Sequence, residues 1–168
     1  MKPLVFNSTP LIYLSKAGLS GIIERLNAEK LTSQLVKDEV VEGKHKGVPD
    51  AIVLEKLFEN GVFKLCKPKD KLFLSRLSET RGLHVTDAEA LAIAKEHEGL
   101  AVTDDEVARK TAKVYGIGYV GTPYVLVRAV FEGLISKKEA RQVVNDMVSA
   151  GWRCSVESYA KIMESLEK

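Results

Sequence analysis

Short apolar runs alternate with amphipathic segments as far as position 120, and that rhythm predicts the fold. Leu4-Val5-Phe6, Leu31-Thr32, Val62 to Cys66, Leu100-Ala101-Val102 and Ile117 to Val120 have strand length and are bounded by polar or glycine positions. The Leu100 run reads as a buried strand, and the Val62 run alternates less than a half-exposed strand would, so it is expected to be covered on both sides. Between them apolar residues recur at helical spacing. Thr9 is expected to cap a first helix with Pro10 in its opening turn, where a missing N–H costs nothing. Its inward face is Leu11, Ile12, Leu14 and Ala17, and Gly18 closes it. Further helices are predicted over Val36 to Val41, Asp50 to Glu59 and about Asp70 to Glu79. Thr86-Asp87-Ala88-Glu89 reads as a capping box opening a helix that ends near Gly99, with a small inner face of Ala88, Leu91, Ala92 and Ala94.

After Val120 no strand-like alternation remains. Thr122-Pro123 opens a helix through Phe131, Ser136-Lys137-Lys138-Glu139 is a second capping box leading to about Ala150, and Ser155 caps a last helix to Leu166. Strands separated by helices predict an α/β fold, a three-layer α/β/α sandwich with a mostly parallel five-stranded sheet. The chain reads as one domain, a core over about residues 3–130 with extra C-terminal helices over about 134–168.

Composition narrows the picture only a little. The 168 residues suffice for a proper core, and 45% hydrophobic with 29% charged residues is ordinary for a globular chain. No run approaches the ~18 apolar residues of a membrane span, so a cytoplasmic location is expected. A net charge of +2 excludes a polycation built to coat nucleic acid. Basic residues are nonetheless bunched, as Lys44-His45-Lys46 and Lys67-Pro68-Lys69-Asp70-Lys71 with Arg76 beyond. These are either solvated surface or a polyanion's flank. Cys66 and Cys154 lie far apart with no C-x-x-C, and read as buried free thiols. Gly116-Ile117-Gly118-Tyr119-Val120-Gly121 matches G-x-G-x-x-G, but it follows a helix and contains a strand, the wrong context for a dinucleotide site. His45, His84 and His97 do not cluster.

The chemistry therefore rests on carboxylates. Leu100-Ala101-Val102-Thr103-Asp104-Asp105 runs from a buried strand into a helix, at the strand end where ligands gather in an open parallel sheet. One reading makes Asp104 a mere N-cap with Asp105 and Glu106 opposing the helix dipole. The other joins Asp104 and Asp105 to Glu39, Asp87 and Asn7 in an oxygen-rich site, which suits Mg²⁺ or Mn²⁺.

Four segments decide which family the chain resembles. Val5-Phe6-Asn7-Ser8-Thr9-Pro10-Leu11-Ile12, Val36-Lys37-Asp38-Glu39, Asp87 to Ala94 and Val102-Thr103-Asp104-Asp105 resemble the successive motifs of the PIN domain family, in a VapC-related branch, over roughly residues 3–130. The resemblance implies an α/β/α sandwich and metal-dependent ribonuclease activity with Mg²⁺ or Mn²⁺. By position it implies that Glu39, Asp87 and Asp105 are the acidic catalytic and metal-binding residues, with Asp104 adjacent and Ser8 and Thr103 as supporting hydroxyls. Asn7 stands where the family motif ordinarily has its first aspartate. An amide oxygen still accepts or ligates but brings no charge, so weaker metal binding is expected.

RNA is the expected substrate, its backbone steered by Lys44, Lys46, Lys69, Lys71 and Arg76, and the expected assembly is a homodimer. The alternative is a catalytically silent PIN-like domain that binds RNA or a protein, favoured by Asn7. A toxin–antitoxin pair is a further option, with an antitoxin-like partner helix lying across Val143, Val144, Met147 and Val148. Core packing is the competing use of those four side chains.

Overall fold

A computed structural model of the protein describes residues 1–43 and 49–168. In chain order the elements are β1 (Leu4–Phe6), α1 (Ser8–Lys16), α2 (Ser20–Arg25), β2 (Lys30–Ser33), α3 (Gln34–Glu42), α4 (Pro49–Glu59), β3 (Lys64–Cys66) and α5 (Lys71–Ser78). There follow α6 (Val85–Glu96), β4 (Leu100–Val102), α7 (Glu106–Val114), β5 (Gly118–Val120), α8 (Thr122–Phe131), α9 (Lys137–Ser149) and α10 (Val156–Glu167). All five strands are parallel, in the order β3-β2-β1-β4-β5. The expected sandwich is present.

Alternation along β1 divides the molecule into two layers of core. Leu4 and Phe6 point to one face, into a cluster with α1 to α4 and α8 to α10; Val5 points to the other, with α5, α6 and α7. Because both faces are covered, the two strands at the centre, β1 and β4, are apolar throughout. Helix α6 spans β1, β2 and β4 and buries Ala88, Ala90, Leu91, Ala92, Ile93 and Ala94. Its alanines let the helix axis sit close to the sheet. The C-terminal helices are not an appendage, since Val144, Met147, Ile162 and Leu166 share one apolar cluster with Leu4 and Phe6. Val143, Val144 and Met147 are buried there, which is core packing; Val148 is exposed.

Four local expectations need correction. The first helix begins at Ser8 rather than after a Thr9 cap, because Asn7 Oδ1 accepts from the Ser8 backbone N–H. The helix expected to start at a Thr86 cap begins at Val85 with His84 in the cap position and no side-chain cap bond, so the box does not form. β3 is an exposed edge strand, not one covered on both sides. Phe63 supplied the apolar signal there, but it packs into the core just ahead of the strand, against Phe6 and Phe58. Both cysteines are free but only half-buried, and burial raises both thiol pKa values. The second capping box, by contrast, forms as read, with Ser136 and Glu139 exchanging bonds.

Candidate active site

Strand order reverses between β1 and β4, and the crevice beyond the carboxyl ends of such strands is where open α/β sheets bind ligands. Phe6 pairs with Val102, so the residues after them, Asn7 and Thr103, emerge side by side. Both are buried. Asn7 N donates to Val102 O at 3.1 Å and Thr103 N to Val120 O at 2.9 Å, which holds the loop backbones in strand register past the last paired residues.

Asp87, in the first turn of α6, faces this junction and is only 3% exposed. Its Oδ1 accepts from the Asn7 side-chain amide and, at 3.3 Å, from the Thr103 hydroxyl. Burial, with the neighbouring Asp105 charge, pushes its pKa up to about 6; Thr103 and His84 act in the opposite sense, and Glu39 adds to the rise. Asp105 is the N-cap of α7, its Oδ1 accepting from Ala108 N at 2.8 Å, while its own N–H donates to Thr103 Oγ1 at 3.2 Å. Glu39 arrives from α3 and takes a 2.7 Å bond from the Ser8 hydroxyl. Asn7, Ser8, Glu39, Asp87, Thr103 and Asp105 therefore line one cavity of about 470 Å³. The helix that carries Glu39 follows directly on β2, whose last residue Ser33 caps it through its hydroxyl, so β2 also delivers a residue to this end of the sheet.

Asp104 points elsewhere. Its carboxylate accepts from Thr122 N at 2.8 Å, Thr122 Oγ1 at 2.5 Å and Trp152 Nε1 at 3.0 Å, joining the start of α8 to the turn after α9. Gly121 makes that approach possible, since a Cβ there would lie 2.9 Å from Asp104 Oδ1 and 2.7 Å from an Arg109 guanidinium nitrogen. The cap between Val102 and α7 is therefore Asp105, and Asp104 is a structural tie beside the cavity.

Those of the expected basic residues that are described, Lys69, Lys71 and Arg76, do not line the acidic cavity. Lys69 and Lys71 line a separate space of about 590 Å³ with Lys64, Lys67 and His97 along β3. The backbone N–H groups of Lys69 and Asp70 donate to Glu96 at 2.7 and 2.9 Å, at the far end of α6 from Asp87, about 13 Å away by helical rise. Arg76 is exposed on the last turn of α5, and Lys44 and Lys46 lie outside the described residues. Sequence reasoning missed His84, Thr86 and Thr9, which complete the cavity wall. The only advance signal for His84 was its place three residues before Asp87. A larger cavity of about 680 Å³, at the opposite end of the sheet around Pro3, Gly99 and Gly118, has a single carboxylate, Glu98, in its lining beside Lys2 and Lys95.

The donor set fits a hard divalent cation. It is made of oxygens, and three negative side chains crowd a site where burial and mutual repulsion already raise Asp87. Among the described residues no three His, Cys, Asp or Glu side chains are closed up tightly enough to hold an ion as they stand.

A PIN-domain family model, DUF3368, matches residues 3–168. The crystal structure of PAE2754 from Pyrobaculum aerophilum is similar in fold, with a TM-score of 0.54 at 20% identity over 76% of this chain and 96% of that one. No curated protein matches.

Proposed function

The chain belongs to the PIN domain family, whose members are commonly metal-dependent nucleases, and from that premise we propose that it is an endoribonuclease hydrolysing RNA phosphodiester bonds. The observation that carries this reading is the convergence of Glu39, Asp87 and Asp105 from three separate parts of the chain on one cavity. Glu39, Asp87 and Asp105 would hold Mg²⁺ or Mn²⁺. When bound, the cation polarises a phosphoryl oxygen and makes water a nucleophile near neutral pH.

The protein's own groups prepare that chemistry. Ser8 fixes one Glu39 oxygen and leaves the other open. Thr103 ties the first turn of α6 to the loop after β4, donating to the Asp87 carboxylate and accepting from the Asp105 backbone N–H. Asp105 cannot swing freely, because it also caps α7. Asn7 replaces a charge with a donor to Asp87. Asp87 thus has a hydrogen-bond partner in place of a like charge, and the site tolerates being empty at the expense of cation affinity. Below about pH 6 Asp87 takes a proton, so cation binding and cleavage strengthen as pH rises through that value.

The same Asn7 contact favours a second reading, a PIN-like domain that binds RNA without cutting it. One experiment separates them. Purified protein is incubated with single-stranded and hairpin RNAs in Mn²⁺, Mg²⁺ or EDTA, beside Asp105→Asn and Asn7→Asp. Cleavage that needs metal and Asp105, and rises in Asn7→Asp, is expected. RNAs left intact by wild type and by Asn7→Asp alike would overturn the nuclease assignment.

A further inference from the structure

A second, smaller cavity opens beside the acidic one and shares Thr9 and Asp105 with it. It encloses about 270 Å³, and its other walls are Tyr13, Asp104 and the turn Gly151-Trp152-Arg153 between α9 and α10. Trp152 is buried and bonded to Asp104, so the turn is anchored at the end of β4. Gly151, at φ +103°, carries the chain past the Tyr13 hydroxyl with ordinary van der Waals room. Arg153 is exposed, and no described residue forms an ion pair with it. An unneutralised guanidinium therefore stands in the exposed wall of an otherwise acidic cleft, which it lines together with the partly buried Tyr13, whose ring also has Lys16 Nζ 5.6 Å from its centroid.

We propose that this shelf holds the base of the nucleotide flanking the scissile phosphate, with Tyr13 against the base and Arg153 on the adjoining backbone phosphate. The proposal rests on the nuclease reading of the neighbouring cavity. Size favours a single base: the space is below the roughly 300 Å³ at which pockets for drug-sized ligands begin. Charge places the phosphate beside Arg153, the one cation among the walls, and away from Asp104 and Asp105. An aromatic ring with an arginine beside it is the pairing that single-stranded nucleic acid uses, stacking on one and neutralisation by the other. The Asp104 oxygens are already taken by Thr122 and Trp152, so the shelf keeps its shape without a ligand.

Equilibrium binding of a fluorescent single-stranded RNA to Asp105→Asn protein in Mg²⁺ tests this without turnover. Arg153→Gln is expected to weaken binding about tenfold and to reduce the slope of log affinity against log salt by about 0.7, one phosphate contact on a single strand. Tyr13→Ala is expected to weaken binding by about 5- to 150-fold, the loss of one stack, and Tyr13→Phe to restore most of it. Abasic substitution scanned along the RNA should find one position that weakens binding to wild-type Tyr13 protein and is silent in Tyr13→Ala. Cleavage by wild type with unchanged affinity in Arg153→Gln and Tyr13→Ala overturns the shelf and leaves the nuclease standing. RNA binding that depends on both residues, in a protein that never cleaves, overturns the nuclease reading and with it the placement beside a scissile phosphate, leaving only a base-and-phosphate contact. No binding of RNA at all overturns both.

Discussion

Replacing Asn7 by Asp restores the missing charge and should expose what the amide does. The new side chain keeps the cap on α1, because a carboxylate accepts from Ser8 N as well as an amide does. Its other partner is the problem. Where an amide N–H now donates to Asp87, two carboxylates would meet. Two unit charges about 4 Å apart cost about 4 kcal/mol at an effective dielectric constant near 20. A proton offers a cheaper route. Asp87 is already raised to about 6, so protonating it at pH 7.5 costs about 2 kcal/mol at 1.36 kcal/mol per pH unit. Protonation therefore sets the penalty. In a chain of this size about 2 kcal/mol lowers the melting temperature by about 4–8 °C.

The sign with pH follows from proton counting. The folded variant holds a proton that the unfolded chain releases above an ordinary aspartate pKa near 4, so stability is lost as pH rises from there through the raised folded value. At pH 5 Asp87 is largely protonated in wild type too, and the difference should nearly vanish. Mn²⁺ at about 100 times its dissociation constant contributes about 2.7 kcal/mol, enough to cancel the penalty at pH 7.5. Thermal unfolding of both proteins at pH 5 and 7.5, with EDTA and with Mn²⁺, reads all of this. A variant as stable as wild type at pH 7.5 in EDTA, or one more damaged at pH 5 than at 7.5, would refute the reasoning.

Further outcomes follow from single contacts. Thr103→Val removes the hydroxyl that lowers Asp87, so the Asp87 carboxyl, followed by NMR titration, should move further above 6 and Mn²⁺ affinity at pH 6.5 should fall. Asp105→Asn keeps an N-cap for α7 whereas Asp105→Ala loses one worth about 1 kcal/mol. Both should abolish cleavage, but only the alanine should lower the urea midpoint. Trp152→Phe deletes a bond to a carboxylate and is expected to cost about 2 kcal/mol in urea denaturation. Leu91→Ala, in the fully packed face of α6, should cost about 2–5 kcal/mol by leaving a cavity, with no change in RNA preference.

Element type and order were legible because apolar periodicity is a local property. Leu4-Val5-Phe6 and Leu100-Ala101-Val102 announce themselves as strands, and they are the paired centre of the sheet. Caps were less legible. Asn7, Ser8 and Thr9 are all acceptable cap residues, and the choice of Asn7 is bound up with Asp87, 80 positions away. Asp104 and Asp105 are adjacent and chemically identical. Their roles are assigned by Thr122 and Trp152, which claim the first and leave the second to α7 and the cavity. Lys69 and Lys71 could not be placed from sequence because the loop after β3 turns toward Glu96, away from the carboxylates. The convergence of Glu39, Asp87 and Asp105 came through the family resemblance and strand-end logic together; spacing alone carried neither.

The Asp104 tie has a temporal meaning. Every carboxylate of the acidic cavity precedes residue 106, yet the indole that secures the strand end belongs to residue 152. A chain emerging from the ribosome exposes its acidic cluster some 47 residues before that clasp can close. The finished cleft therefore belongs only to molecules whose synthesis has passed Trp152, and a nascent fragment carries the acidic residues without the wall beside them.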